Sequence, residues 1–124
     1  MTDQLISIET AKLAKEKGFH EETQAMTVGE NYPIVSNPQE ESPYDWNGRK
    51  GYSIPTQSLL QKWLREKHNI DILIKPWTGD IKGSKTYAAD VTIFGSTRYV
   101  KCLRLNTYEE ALEQGLRQGL LLIK

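Results

Sequence analysis

His20-Glu21-Glu22-Thr23 opens like the zinc-protease helix motif, in which two imidazoles four residues apart share a metal and the glutamate activates water. Gln24 stands where the second imidazole would be, so the run holds no metal pair of its own. His68 is the other histidine, following Arg65, Glu66 and Lys67 at the end of an amphipathic run, where an imidazolium suits the carbonyl end of a helix dipole. The single cysteine, Cys102, allows no internal disulfide, and in an alternating apolar run it reads as a small hydrophobe rather than a nucleophile. No Ser, His and Asp arrangement and no glycine-rich phosphate loop occurs. No set of residues therefore carries a reaction by itself, and no cofactor or metal is expected.

The stretch with the most recognition chemistry is Tyr44-Asp45-Trp46-Asn47-Gly48-Arg49-Lys50-Gly51-Tyr52. Aromatic rings interleaved with cations can stack on a base or grip a peptide side chain, which makes Tyr44, Trp46, Arg49, Lys50 and Tyr52 the candidate binding surface. Against this stands the plainer reading that Trp46 and Tyr52 close over Leu59 and Trp63 as a lid on the core, which the sequence ranks ahead of the stacking surface. Lys75, Lys82, Lys85, Arg98, Lys101 and Arg104 would give a second basic face, but Asp71, Asp80 and Asp90 interrupt it.

The elements that must position these groups follow from periodicity. Ser7 before Ile8-Glu9-Thr10-Ala11-Lys12-Leu13-Ala14, with Gly18 beyond, predicts a short capped helix whose thin apolar stripe keeps it peripheral, with Phe19 folding back as its C-terminal contact. From His20 to Ser53 the periodicity fails, and the segment reads as irregular, with a short hairpin conceivable between Ala25–Val28 and Tyr32–Val35 around Gly29-Glu30-Asn31. Thr56 to Asn69 predicts a second helix, with Pro55 suiting its first turn and Leu59, Leu60, Trp63 and Leu64 on the buried face. Ile70, Ile72 and Ile74 alternate with Asp71, Leu73 and Lys75 as a strand ending at Pro76, and Tyr87 to Phe94 alternate as another. Gly95-Ser96 reads as a two-residue turn, pairing Val91 with Val100, Ala89 with Cys102 and Asp90 with Lys101. That register leaves Arg104 on the apolar face, so a bulge or strand end is expected near Leu103. Thr107-Tyr108-Glu109-Glu110 is a capping box opening a last helix to the C-terminus, with Gly115 and Gly119 on its apolar stripe awaiting a close neighbour, better a sheet than a second copy.

At 124 residues, with hydrophobic content of 38%, the chain suits one globular domain without staples. Residues 1–19 would be a peripheral helix, 20–55 irregular, and 56–124 an α+β core of helix, three-stranded antiparallel meander and helix, with both helices on one sheet face. The zero net charge hides a dipole. Residues 1–55 carry five Lys or Arg against nine Asp or Glu, and residues 56–124 eleven against seven, too mild for a dedicated nucleic-acid binder. No signal-like start and no apolar run of membrane-spanning length is present, so a cytoplasmic protein is expected.

Two resemblances follow from these segments. The helix–meander–helix order looks like double-stranded-RNA-binding domains, but Glu109 and Glu110 stand where those domains begin their last helix with lysines, and acids there repel phosphate. Ser7–Phe19, Pro55–Ile70 and Tyr108–Leu116 resemble, in the same order, a group of small uncharacterised proteins of phages and prophages of gut bacteria. That resemblance implies a phage-associated origin and transfers no activity or site. The expectation is a non-enzymatic binding or protein-interaction domain, with a protein partner or a homodimer through its sheet edge or glycine-faced helix. Weak single-stranded nucleic-acid binding, or an enzyme whose site is scattered along the sequence, are the alternatives.

Overall fold

The computed structural model describes residues 4–23, 25–27, 35–36, 47, 51–77, 86–95 and 101–123. These form an α+β fold of three helices and two antiparallel three-stranded sheets, divided into two compact units, Met1–Leu59 and Leu60–Lys124.

In the first unit, helix α1 (Ile8–Glu16) starts where the Ser7 hydroxyl accepts from the Thr10 N–H at 3.2 Å. It ends in a Schellman turn: Gly18 takes φ +90°, its N–H donates to the Lys15 carbonyl and the Phe19 N–H to the Ala14 carbonyl, the two bonds that satisfy the last orphan acceptors. Phe19, Ile6, Ala11 and Ala14 are all buried in this unit. Within the stretch where a short hairpin is conceivable, β1 (Ala25–Thr27) pairs antiparallel with β2 (Val35–Ser36), Met26 opposite Val35; the arm from Tyr32 to Ile34 and the turn around Gly29-Glu30-Asn31 lie outside the described residues. A third strand, β3 (Tyr52–Ile54), pairs with the other side of β1 and carries α1. Three residues are too few for alternation to announce themselves. Leu5 bridges to Thr56, and the Ile6 N–H donates to the Pro55 carbonyl at 3.1 Å.

Helix α2 (Gln57–His68) spans the boundary between the units. Pro55 lies before it rather than in its first turn, and Thr56 Oγ1 accepts from the Leu59 N–H at 3.2 Å, doing the work of a cap. Leu60, Trp63 and Leu64 are buried, as the spacing predicts, whereas Leu59 is half-exposed. The three buried side chains supply about 1.5–3 kcal/mol each of gross stabilisation. Asn69 ends the helix with φ +57°, a left-handed conformation that costs any residue with an ordinary side chain about 1–2 kcal/mol. Asn69→Ala is therefore expected to lose about 1 kcal/mol in urea denaturation, and Asn69→Gly to lose nothing.

The second unit holds the expected αβββα core: β4 (Ile70–Trp77), β5 (Thr86–Ile93) and β6 (Lys101–Leu105) in the order β4-β5-β6, followed by α3 (Tyr108–Leu121). Thr107 caps α3 by accepting from the Glu110 N–H at 3.1 Å. The glycine stripe of α3 meets the sheet. A Cβ on Gly115 would stand 2.8 Å from Ile72 Cγ2 and 3.3 Å from Ala89 Cβ, and one on Gly119 would stand 3.2 Å from Leu64 Cδ1 and 3.3 Å from Ile70 Cγ2. The two helices thus share one face of the meander, and the glycines serve internal packing, which removes the glycine-faced route to a homodimer.

Two sequence expectations about the sheet are corrected. Val91 pairs with Lys101, Asp90 with Cys102 and Ala89 with Leu103, one residue from the predicted register. The nine residues between Val91 and Lys101 are an odd number, and a two-residue turn leaves an even one. The shift puts position 103 opposite Ala89, which faces α3, and the exposed Arg104 opposite Ala88 on the other face, so no bulge is needed. A one-residue slip exchanges the faces of a whole strand. Asp90 consequently does not meet Lys101; its carboxylate takes the Lys75 ammonium at 2.8 Å. The second correction is that β4 does not stop at Pro76 but continues to Trp77.

Hydrogen-bond phase explains why Pro76 is tolerated. The Phe94 N–H donates to the Asn69 carbonyl at 2.8 Å, so by antiparallel alternation residues 71, 73 and 75 of β4 point their backbone groups at β5, and Ile70, Ile72, Ile74 and Pro76 point theirs outward. Pro76 thus lacks an N–H only where no ladder partner exists. The outward Ile72 carbonyl accepts instead from Gln61 Nε2 of α2 at 2.8 Å.

Candidate binding site

Of the five residues of the expected recognition surface, Tyr52 lies within the described residues; Tyr44, Trp46, Arg49 and Lys50 lie outside them. Strand pairing positions Tyr52 opposite Thr27 at the start of β3. Its ring is half-exposed and lines an open cleft of about 570 Å³ together with Lys12, Lys15 and Glu16 of α1.

Lys12 and Lys15 stand three residues apart, the spacing that places side chains on one helix face. The Lys15 ammonium lies 4.8 Å from the centroid of the Tyr52 ring and donates to the Gly51 carbonyl at 2.9 Å. A cation over an aromatic face contributes about 0.5–1 kcal/mol at an exposed site, and the carbonyl fixes where the charge sits. The cleft therefore joins an aromatic surface to two lysines and one carboxylate. This is equipment for recognising a flat or anionic group. The cleft volume falls within the range of small-ligand sites.

Asn47, which sequence reasoning left inside the recognition stretch, has a structural role. It is buried; its Nδ2 donates to the Phe19 carbonyl at 2.9 Å, its Oδ1 accepts from the Ser53 N–H at 2.9 Å, and its own N–H donates to Ser53 Oγ at 3.2 Å. It ties the end of the α1 turn to β3, directly beside Tyr52. Lys12 and Lys15 were missed for a different reason: in sequence they are ordinary helix-surface lysines, and their partner strand lies 36 residues further on.

His68 packs edge-on against Trp63 with ring centroids 4.6 Å apart. His20 is exposed. Cys102 sits at a strand position opposite Asp90. Among the described residues, no group of three His, Cys, Asp or Glu side chains is placed to hold a metal, and no helix is long and apolar enough to cross a membrane. The turn expected between Trp77 and Lys85 lies outside the described residues. No family model, curated protein or solved structure matches the chain.

Proposed function

We propose that this chain is a small non-enzymatic binding protein of the phage or prophage type, acting in the cytoplasm, and that it engages a protein partner through the cleft between α1 and β3. One observation supports the reading: Lys15 is anchored by the Gly51 carbonyl over the half-exposed Tyr52 ring, with Lys12 lining the same open cleft. A peptide segment bearing an acidic and an aromatic side chain meets both halves of that arrangement. Weak single-stranded nucleic-acid binding is the second reading, favoured by the same half-exposed ring, because a base stacks on an aromatic face while phosphate takes the cations.

Titration of the isotope-labelled chain with a Glu-Tyr-Glu peptide tests the proposal. The amide signals of Lys12, Lys15, Gly51 and Tyr52 are expected to move together, and Lys15→Glu to weaken the effect about tenfold, equivalent to ~1.4 kcal/mol. An oligothymidylate that moves the same signals more strongly, with a steep loss as salt rises, would replace the protein partner by nucleic acid. Silence from both probes, or turnover of an ester, phosphate or glycoside substrate that Tyr52→Ala abolishes without unfolding, would sink the proposal.

A further inference from the structure

The charges that line the cleft between α1 and β3 are not equally available. Lys15 lies over the Tyr52 ring and donates to the Gly51 carbonyl at 2.9 Å, and Lys12 also holds an interaction of its own. Glu16 lines the same cleft from an exposed position, and among the described residues its carboxylate makes no hydrogen bond or ion pair. It stands four residues after Lys12, the spacing at which opposite charges on a helix can meet, yet the two do not pair. Glu16 is also the last residue of α1, where the carbonyl end of the helix dipole disfavours a carboxylate. An acid set against the dipole with no compensation inside the fold breaks a local rule, and such breaks concentrate where a ligand supplies what is missing.

We infer that Glu16 chooses the partner, and that the segment bound in the cleft carries an arginine beside its acidic and aromatic side chains, a selection that rests on the cleft being the partner site. A guanidinium is planar and donates two parallel N–H bonds to one carboxylate, so it matches an exposed glutamate better than a single-point cation does. The lining as a whole carries two cations and one anion. A segment bearing acids alone leaves Glu16 facing like charge, and one bearing bases alone meets two lysines. A segment holding both signs satisfies all three groups. Nucleic acid fits the same lining poorly, because each phosphate brought to the lysines also approaches Glu16.

The test titrates the full chain with three tripeptides, Glu-Tyr-Arg, Glu-Tyr-Gln and Glu-Tyr-Glu, acetylated and amidated so that side chains carry the only charges. Affinity is read from the amide signals of Lys12, Lys15, Gly51 and Tyr52. Glu-Tyr-Arg is expected to bind about threefold tighter than Glu-Tyr-Gln, the scale of one exposed charge pair, and about tenfold tighter than Glu-Tyr-Glu, where an attraction replaces a repulsion. The preference should shrink as salt rises. Glu16→Gln should erase it, and Glu16→Lys should make Glu-Tyr-Glu the tightest of the three. Both replacements are good helix formers at an exposed position, so the circular dichroism spectrum is expected to stay unchanged. Equal affinity for Glu-Tyr-Glu and Glu-Tyr-Arg at the cleft signals would overturn the role of Glu16 while leaving the cleft as the binding site, and so would a preference for arginine that survives Glu16→Gln. If none of the three peptides moves those signals, the cleft itself fails as the partner site and the selection falls with it. An oligothymidylate that moves them where the peptides do not, and binds more tightly to Glu16→Gln, would overturn the selection in favour of nucleic acid.

Discussion

Asn47→Ala is expected to destabilise the protein by about 3 kcal/mol. The substitution leaves the Ser53 N–H and the Phe19 carbonyl without the side chain that satisfies both, and an unsatisfied buried polar group costs about 1–3 kcal/mol. Urea denaturation followed by circular dichroism would show the midpoint fall, and hydrogen exchange at Ser53 would show the loss beginning at β3. Asn47→Asp separates geometry from hydrogen bonding. A carboxylate still accepts from Ser53 but faces the Phe19 carbonyl with no proton to give, so burial and that carbonyl raise its folded pKa above the unfolded value. Such a group stabilises the fold at low pH and loses that contribution as pH rises. The deficit of Asn47→Asp relative to wild type should therefore widen from pH 4 to pH 7, and a deficit independent of pH would count against the clamp.

The second large effect is expected at Gly115. In an exposed helix, Gly→Ala gains about 1 kcal/mol, yet here the new methyl would lie 2.8 Å from Ile72 Cγ2, a branch fixed close to the strand backbone. Overpacking of that kind costs about 1–3 kcal/mol, so Gly115→Ala is expected to be net destabilising by about 1–2 kcal/mol. Gly119→Ala, whose nearest neighbour is the end of the Leu64 side chain at 3.2 Å, should stay within about 0.5 kcal/mol of wild type. Ile72→Leu removes the obstructing β-branch, and a double-mutant cycle with Gly115→Ala should show favourable coupling. Equal effects at the two glycines would mean that α3 does not sit on the sheet as described.

Both experiments bear on features with very different visibility in the sequence. The glycine stripe was legible, because two costly residues at helical spacing require a close neighbour, and the capped ends of α1 and α3 were legible from Ser7, Gly18 and Thr107. The order of the second unit followed from alternation and helical period alone. Its register did not: Gly95-Ser96 gave a turn signal that implies a pairing one residue away from the one the strands adopt, and only paired strands show which holds. Strand β3 and Asn47 were hidden because each depends on partners distant in sequence. Their residues, Tyr52-Ser53-Ile54 and one asparagine among glycines and aromatics, carry no periodicity. Of the residues lining the cleft, reading a local cluster picked out Tyr52 but could not reach Lys12 and Lys15, whose connection to it exists only once α1 packs on β3.

The hydrogen bond from Gln61 to the Ile72 carbonyl gives α2 a duty beyond filling the core. Strand β4 opens with Ile70-Asp71-Ile72-Leu73-Ile74-Lys75, six residues ahead of Pro76 that are rich in β-branched side chains and low in net charge, the composition of segments that nucleate fibrils when bared. Fraying of α2 at its middle turn would uncover that strand. Heat or crowding would then insolubilise the protein through partial opening, long before the sheet itself had melted.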